Sequence, residues 1–142
     1  MPPSGAQIKE TLFRVRFAET DLMGIVHHAS YVIYLEEARV DFIRQIGASY
    51  ADLEAEGYSL AVNEINVRYK TPARFDQQLI VRTWLEEVRS RTVAFGYEVI
   101  ESESKTLLAT AQVKLICVDR AGQVKRIPEA WLNIMQPLVG GK

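Results

Sequence analysis

The chain has 142 residues, of which 48% are apolar and 25% charged, and a formal net charge of −1. That length holds one domain with a core of its own, and the near-neutral balance, with Lys and Arg dispersed, leaves no electrostatic footprint for a nucleic acid or an anionic membrane surface. A lone cysteine, Cys117, excludes an internal disulfide and fits a reducing compartment, and no window approaches the ~18 consecutive apolar residues of a membrane-spanning helix.

The opening MPPSGAQIKE has no apolar h-region and no cleavage-site pattern. Residues 1–10 are therefore read as a flexible tail, residues 1–142 as a single undivided domain, and the protein as cytoplasmic. Thr11–Ala18 alternates, with Phe13, Val15 and Phe17 on one face and Leu12, Arg14 and Arg16 on the other, which predicts a half-buried strand.

Over Ala29–Ile46 the period changes. Tyr31, Tyr34, Leu35, Ala38, Phe42 and Ile46 follow helical spacing, while Val32, Val40 and Ile43 widen the stripe. The helix is therefore expected to be covered on much of its circumference, with Glu36 and Arg39 paired at i, i+3 and Gly47 as its stop. SYADLEAEG predicts a short second helix, capped by Ser49 and ended by Gly57.

Four strands follow: Ser59–Thr71, ended by Pro72, then Gln77–Val88, Arg91–Ser102 and Thr106–Asp119. Their short polar connections predict antiparallel neighbours. Cys117 falls in the middle of the last strand and reads as inert packing; Trp84 and Trp131 read as core or interface. Pro128 is expected at the first position of a final helix. The order β-α-β-β-β-β describes an α+β domain in which a five-stranded antiparallel sheet wraps around a long central helix, because only that helix is large enough to cover one face of the sheet.

Chemistry concentrates between the first strand and the long helix. Asp21 supplies a carboxylate, Gly24 allows a sharp turn, and His27 and His28 fall at the first helical turn. Helix-start N–H groups lack intrahelical partners and lie at the positive end of the macrodipole. They are ready oxyanion donors, and they favour the ionised form of a neighbouring carboxylate. Such a pair suits acyl transfer from a thioester, since a thiolate leaves without a strong general acid. The alternative is that Asp21 is simply a cap or turn former and the histidines ordinary satisfied side chains. Adjacent histidines do not converge on one metal ion, and no other ligand pattern completes a set, so no metal is expected.

The stretch DLMGIVHHASY, followed by YLEEAR, and the later YKTPARFD and LICVD resemble, in order and from Leu12 to Ile134, the 4-hydroxybenzoyl-CoA thioesterase family of hotdog-fold enzymes. The likeness is closest to its branch of Tol-Pal-associated acyl-CoA thioesterases. The resemblance implies a hotdog fold and hydrolysis of acyl-CoA to acid and CoA. By position it makes Asp21 the nucleophile or general base, His28 the residue whose amide faces the thioester carbonyl, and Gly24 and Tyr31 the supporting turn glycine and helix tyrosine. It further implies CoA-phosphate contacts from Arg89, Arg91 and Thr92, with Lys125 and Arg126 as additional candidates. His27 departs from the commoner aromatic residue, which bears on the acyl pocket. No cofactor is implied beyond the CoA of the substrate. Sites at a dimer interface are expected, in a homodimer at least and a homotetramer by preference, with Arg91–Ser102 as an edge strand inviting pairing. Two other readings remain: a 3-hydroxyacyl thioester dehydratase or hydratase enlisting His27, His28 and Glu36, against which the missing Pro-Gly-rich helix entrance argues, and a non-catalytic acyl-CoA-binding module, against which Asp21 argues.

Overall fold

In the computed structural model, which describes residues 2–140, the alternation of the first strand holds as far as Arg14. Strand β1 is Lys9–Arg14, with Thr11 and Phe13 turned inward and Leu12 and Arg14 outward. Val15 is buried, but Phe17 leaves the pattern: it opens a 3-10 turn, Phe17–Glu19, and is 78% exposed. The expected tail is shorter than ten residues. Lys9 and Glu10 pair with Thr83 and Arg82, and the Gln7 amide donates to the Leu138 carbonyl, so backbone pairing holds residues 7–10 in place.

Helix α1 spans His28–Gln45 and buries Tyr31, Tyr34, Leu35, Ala38, Phe42 and Ile43. Burial of each large apolar side chain stabilises by about 1.5–3 kcal/mol. The face they form reaches much of the sheet. Tyr34 meets Phe13 of β1 with ring centroids 5.4 Å apart. Helix α2 (Tyr50–Ala55) is capped as expected, the Ser49 hydroxyl accepting from the Ala51 amide at 3.1 Å. Strands β2 (Tyr58–Tyr69), β3 (Gln78–Val88), β4 (Thr92–Glu101) and β5 (Leu107–Asp119) complete the sheet, and Phe42 packs edge-on against Phe95 of β4 at 5.6 Å. Helix α3 (Glu129–Met135) follows, with Pro128 as its N-cap rather than its first helical residue.

The sheet order is β1-β3-β4-β5-β2, with every neighbouring pair antiparallel. This corrects the expectation of an edge at Arg91–Ser102. Tight hairpins join β3 to β4 and β4 to β5, so β4 is paired on both sides and lies in the middle. The long free edge is β2, because it pairs only with β5.

A second correction concerns Arg39. It does not pair with Glu36, which is exposed. Its side chain instead enters the core, 7% exposed, and donates to the Tyr97 hydroxyl at 3.3 Å. Arg39 follows Leu35 by four residues and precedes Ile43 by four, so helical spacing places it on a buried row. Cys117 is buried, and burial pushes its thiol pKa up. Trp131 packs on Tyr50, and Trp84 lies over Gly96, where an added Cβ would collide with the indole. Among the described residues, no helix is long and apolar enough to cross a membrane.

Candidate active site

The loop between β1 and α1 is a miniature hairpin. Thr20 bridges to Val26, the Asp21 amide donates to the Ile25 carbonyl at 2.8 Å, and the Gly24 amide donates to the Asp21 carbonyl at 3.1 Å. Gly24 closes this turn at φ +76°, a left-handed conformation that costs a residue with a Cβ about 1–2 kcal/mol. Its carbonyl accepts the Phe75 amide at 3.1 Å, which pins the loop to the segment after β2.

Asp21 does not cap α1. Its Oδ1 accepts the amides of Met23 at 2.8 Å and Ile25 at 3.2 Å, an Asx turn that holds the carboxylate on its own loop. Those two amides, with a smaller contribution from the nearby His27 and against slight desolvation, keep the Asp21 pKa below its ordinary value. Oδ2 accepts no hydrogen bond from the described residues, so one oxygen of an ionised carboxylate is presented to solvent.

The helix beside it begins without a side-chain cap. His27 is the N-cap, its amide donating to the Glu19 carbonyl at 2.9 Å; the Val26 amide is taken by Ala73, and that of Ser30 by His27. The His28 and Ala29 amides have no acceptor among the described residues. They are the free donors at the positive end of an 18-residue helix. The structure thus brings together Asp21, Gly24 and His28 on one loop, and places Tyr31 behind them. Tyr31 is buried, its hydroxyl accepting from the Ala73 amide at 3.3 Å.

Tyr69 is the participant that the sequence did not reveal. As the last residue of β2 it swings over the start of α1, its hydroxyl donating to the His28 carbonyl at 3.0 Å and its ring 4.5 Å from the His28 imidazole and 5.1 Å from Tyr31. Ile25, Val26, His28, Tyr31, Tyr69 and Pro72 line a pocket of about 180 Å³ at this point. The one available signal was its place in YKTPARFD, at the strand end before Pro72. Glu36, by contrast, is exposed and hydrogen-bonds neither histidine.

The basic residues assemble elsewhere. The Ile127 amide donates to the Ser90 carbonyl at 2.8 Å, and the Cys117 amide to the Arg91 carbonyl at 2.9 Å, so the 125–127 segment lies against the β3–β4 hairpin. Arg89, Arg91, Lys125 and Arg126 therefore belong to one neighbourhood. Arg89 and Thr92 line a cavity of about 430 Å³ with Asn63 and Lys114. Arg89 pairs with Glu87 at 2.7 Å and Lys125 with Asp119 at 3.9 Å. This neighbourhood sits by Cys117, opposite Leu60, whereas the Asp21 loop sits at the Tyr69 end of β2. At ~3.3 Å per residue the two ends are roughly 30 Å apart. The basic cluster and the Asp21 loop of one chain thus lie toward opposite ends of β2.

An antiparallel five-stranded sheet around one long helix is the hotdog architecture, and it places the chain among the hotdog-fold thioester hydrolases. The chain belongs to the Thioesterase-like superfamily, whose model matches residues 15–135. It is 37% identical over 106 residues to "Putative acyl-CoA thioesterase YneP" of Bacillus subtilis, covering 75% of this chain and 76% of that protein. It is also 37% identical over 113 residues to "Acyl-CoA thioester hydrolase YbgC" of Escherichia coli, covering 77% and 84%. A solved DHNA-CoA thioesterase from Staphylococcus aureus superposes with a TM-score of 0.87 at 31% identity, covering 91% of this chain and 89% of that one.

Proposed function

We propose that this protein hydrolyses acyl-CoA to a carboxylic acid and free CoA at the Asp21–His28 loop. One observation carries the reading: an ionised carboxylate with a free oxygen and a helix-start amide with no acceptor sit on the same short loop, beside an aromatic-lined pocket. The thioester carbonyl oxygen takes the His28 amide, whose dipole stabilises the negative charge that develops there. Asp21 either attacks the carbonyl carbon, forming a mixed anhydride that water then hydrolyses to the acid and free Asp21, or takes a proton from the water that attacks it; on either route the C–S bond breaks and CoA leaves as its thiolate. No step calls on a metal or another cofactor.

The separation of the two clusters supports a homodimer. If two copies pair antiparallel along their free β2 edges, the Leu60 end of one lies beside the Tyr69 end of the other. The partner's basic neighbourhood (Arg89, Arg91, Thr92, Lys125, Arg126) then faces this chain's Asp21 and receives the CoA phosphates. Phe17, Leu22, Met23 and Phe75, all exposed around the Asp21 loop, supply apolar surface for such an association. We place the protein in the 4-hydroxybenzoyl-CoA thioesterase family, in its Tol-Pal-associated branch, on the Asp-to-Tyr motif, and read it as a cytoplasmic homotetramer built from two such dimers. The test is thiol release from a panel of short-chain, long-chain and aromatic acyl-CoAs. Turnover of at least one is expected; silence across the panel overturns the reading.

A further inference from the structure

We infer that Glu19 is a positioning residue that sets Asp21 and the His28 amide in register with one another, an inference that rests on the roles proposed for those two groups. Glu19 is an acidic side chain only 10% exposed. Its Oε1 accepts the Arg16 amide at 2.8 Å and the Tyr34 hydroxyl at 2.7 Å; its Oε2 accepts Arg16 Nε at 2.8 Å and Nη2 at 2.5 Å. Four donors on one carboxylate compensate the burial of its charge. Burial alone pushes the Glu19 pKa up, but the bonds from Arg16 and Tyr34 outweigh it and hold it below the ordinary value. Tyr34, fully buried on α1, is pushed the other way by burial and by Glu19, so it stays a donor.

The backbone of the same residue meets α1 a second time. The Glu19 carbonyl accepts the His27 amide at 2.9 Å and the Ser30 hydroxyl at 3.4 Å. Two consequences follow for the site. The His27 amide is consumed, so the first free donor of the helix is that of His28. And Thr20 and Asp21, which follow Glu19 directly, leave from a residue fastened to the helix by both its side chain and its main chain. Without the Tyr34 bond, the carboxylate loop would stay tied to α1 through the backbone alone. Reactive groups misplaced by about 1 Å lose about a hundredfold in rate. A packed apolar pair would fasten the turn after β1 to α1 equally well, but it would give the loop no such directional reference.

The experiment compares E19Q, Y34F and the double variant in the intact protein. E19Q, which turns a charged acceptor of four donors into a weaker neutral one, is expected to lower kcat by about tenfold with KM within about twofold, Y34F to lower it less, and the double variant to fall short of the product of the two losses, because they share the Glu19–Tyr34 bond. The second readout is hydrogen exchange of the His27 amide, which requires no turnover and is expected to speed up in Y34F while the helix-interior amides of α1 keep their protection. An unchanged kcat in E19Q, losses that multiply in the double variant, or an unchanged His27 exchange rate overturns the inference. A wild-type protein silent on every thioester, with a His27 amide that loosens in Y34F, would retire the hydrolase reading and keep the clamp. An active wild type with an unaffected E19Q would do the reverse.

Discussion

The Tyr69 hydroxyl donates to the His28 carbonyl at 3.0 Å, fastening the last residue of strand β2 to the first residue of helix α1. A bond of this kind contributes about 1 kcal/mol net. Removing it in Y69F is expected to lower kcat by about fivefold with little change in melting temperature, whereas Y69A also removes a wall of the pocket beside His28 and, if that pocket takes the acyl group, should alter the preference among acyl groups. Steady-state kinetics on two acyl-CoAs of different bulk checks both. Identical acyl preference in Y69A and the wild type would remove Tyr69 from the pocket.

Replacing Asp21 with Asn keeps an oxygen for the Met23 and Ile25 amides and so preserves the loop. It abolishes the charge. A fall in kcat of at least about a hundredfold is expected, with an unchanged circular dichroism spectrum and elution volume. An unaltered rate would remove Asp21 from the mechanism.

The pH dependence follows from the direction of the Asp21 shift. The two loop amides favour its anion, so protonation, and with it the acid limb of kcat/KM, falls below the ordinary value of 3.8. Glu19 and Glu101 are likewise held below 4.5, Glu101 by the amides of Glu103 and Ser104. Their stabilisation is therefore complete above that value and is lost only as pH falls through the depressed folded values. A pH profile measured over short times, with folding followed in parallel, checks the limb. A limb centred well above 3.8 would assign the base elsewhere.

The distance between the basic cluster and Asp21 predicts complementation. R91E is expected to raise KM for CoA esters about tenfold while sparing kcat. A hybrid of a D21N subunit with an R91E subunit carries one site in which both residues are intact, provided that each site draws on both chains. Mixed and refolded D21N and R91E should therefore regain activity that neither shows at low substrate concentration. Absence of recovery would place both contributions on one chain.

Much of this protein was legible in the residues themselves. The helical stripe from Tyr31 to Phe42 and the short polar links between strands specified the α+β class, since periodicity and connection length reflect local geometry that each segment carries with it. Asp21, Gly24 and His28 were readable for the same reason: they lie on one continuous loop whose turn and helix start are local structures. The tertiary structure decided the rest. It set β4 in the middle of the sheet and β2 at its edge, because the pairing partner of a strand depends on where the chain returns and not on its own pattern. It turned Arg39 inward onto Tyr97. It carried Tyr69 onto His28, 41 residues away, and tied Glu19 to Tyr34, 15 residues away. Those contacts join elements whose separation in sequence says nothing of their distance in space, so only the packed sheet and helix could bring them within a hydrogen bond.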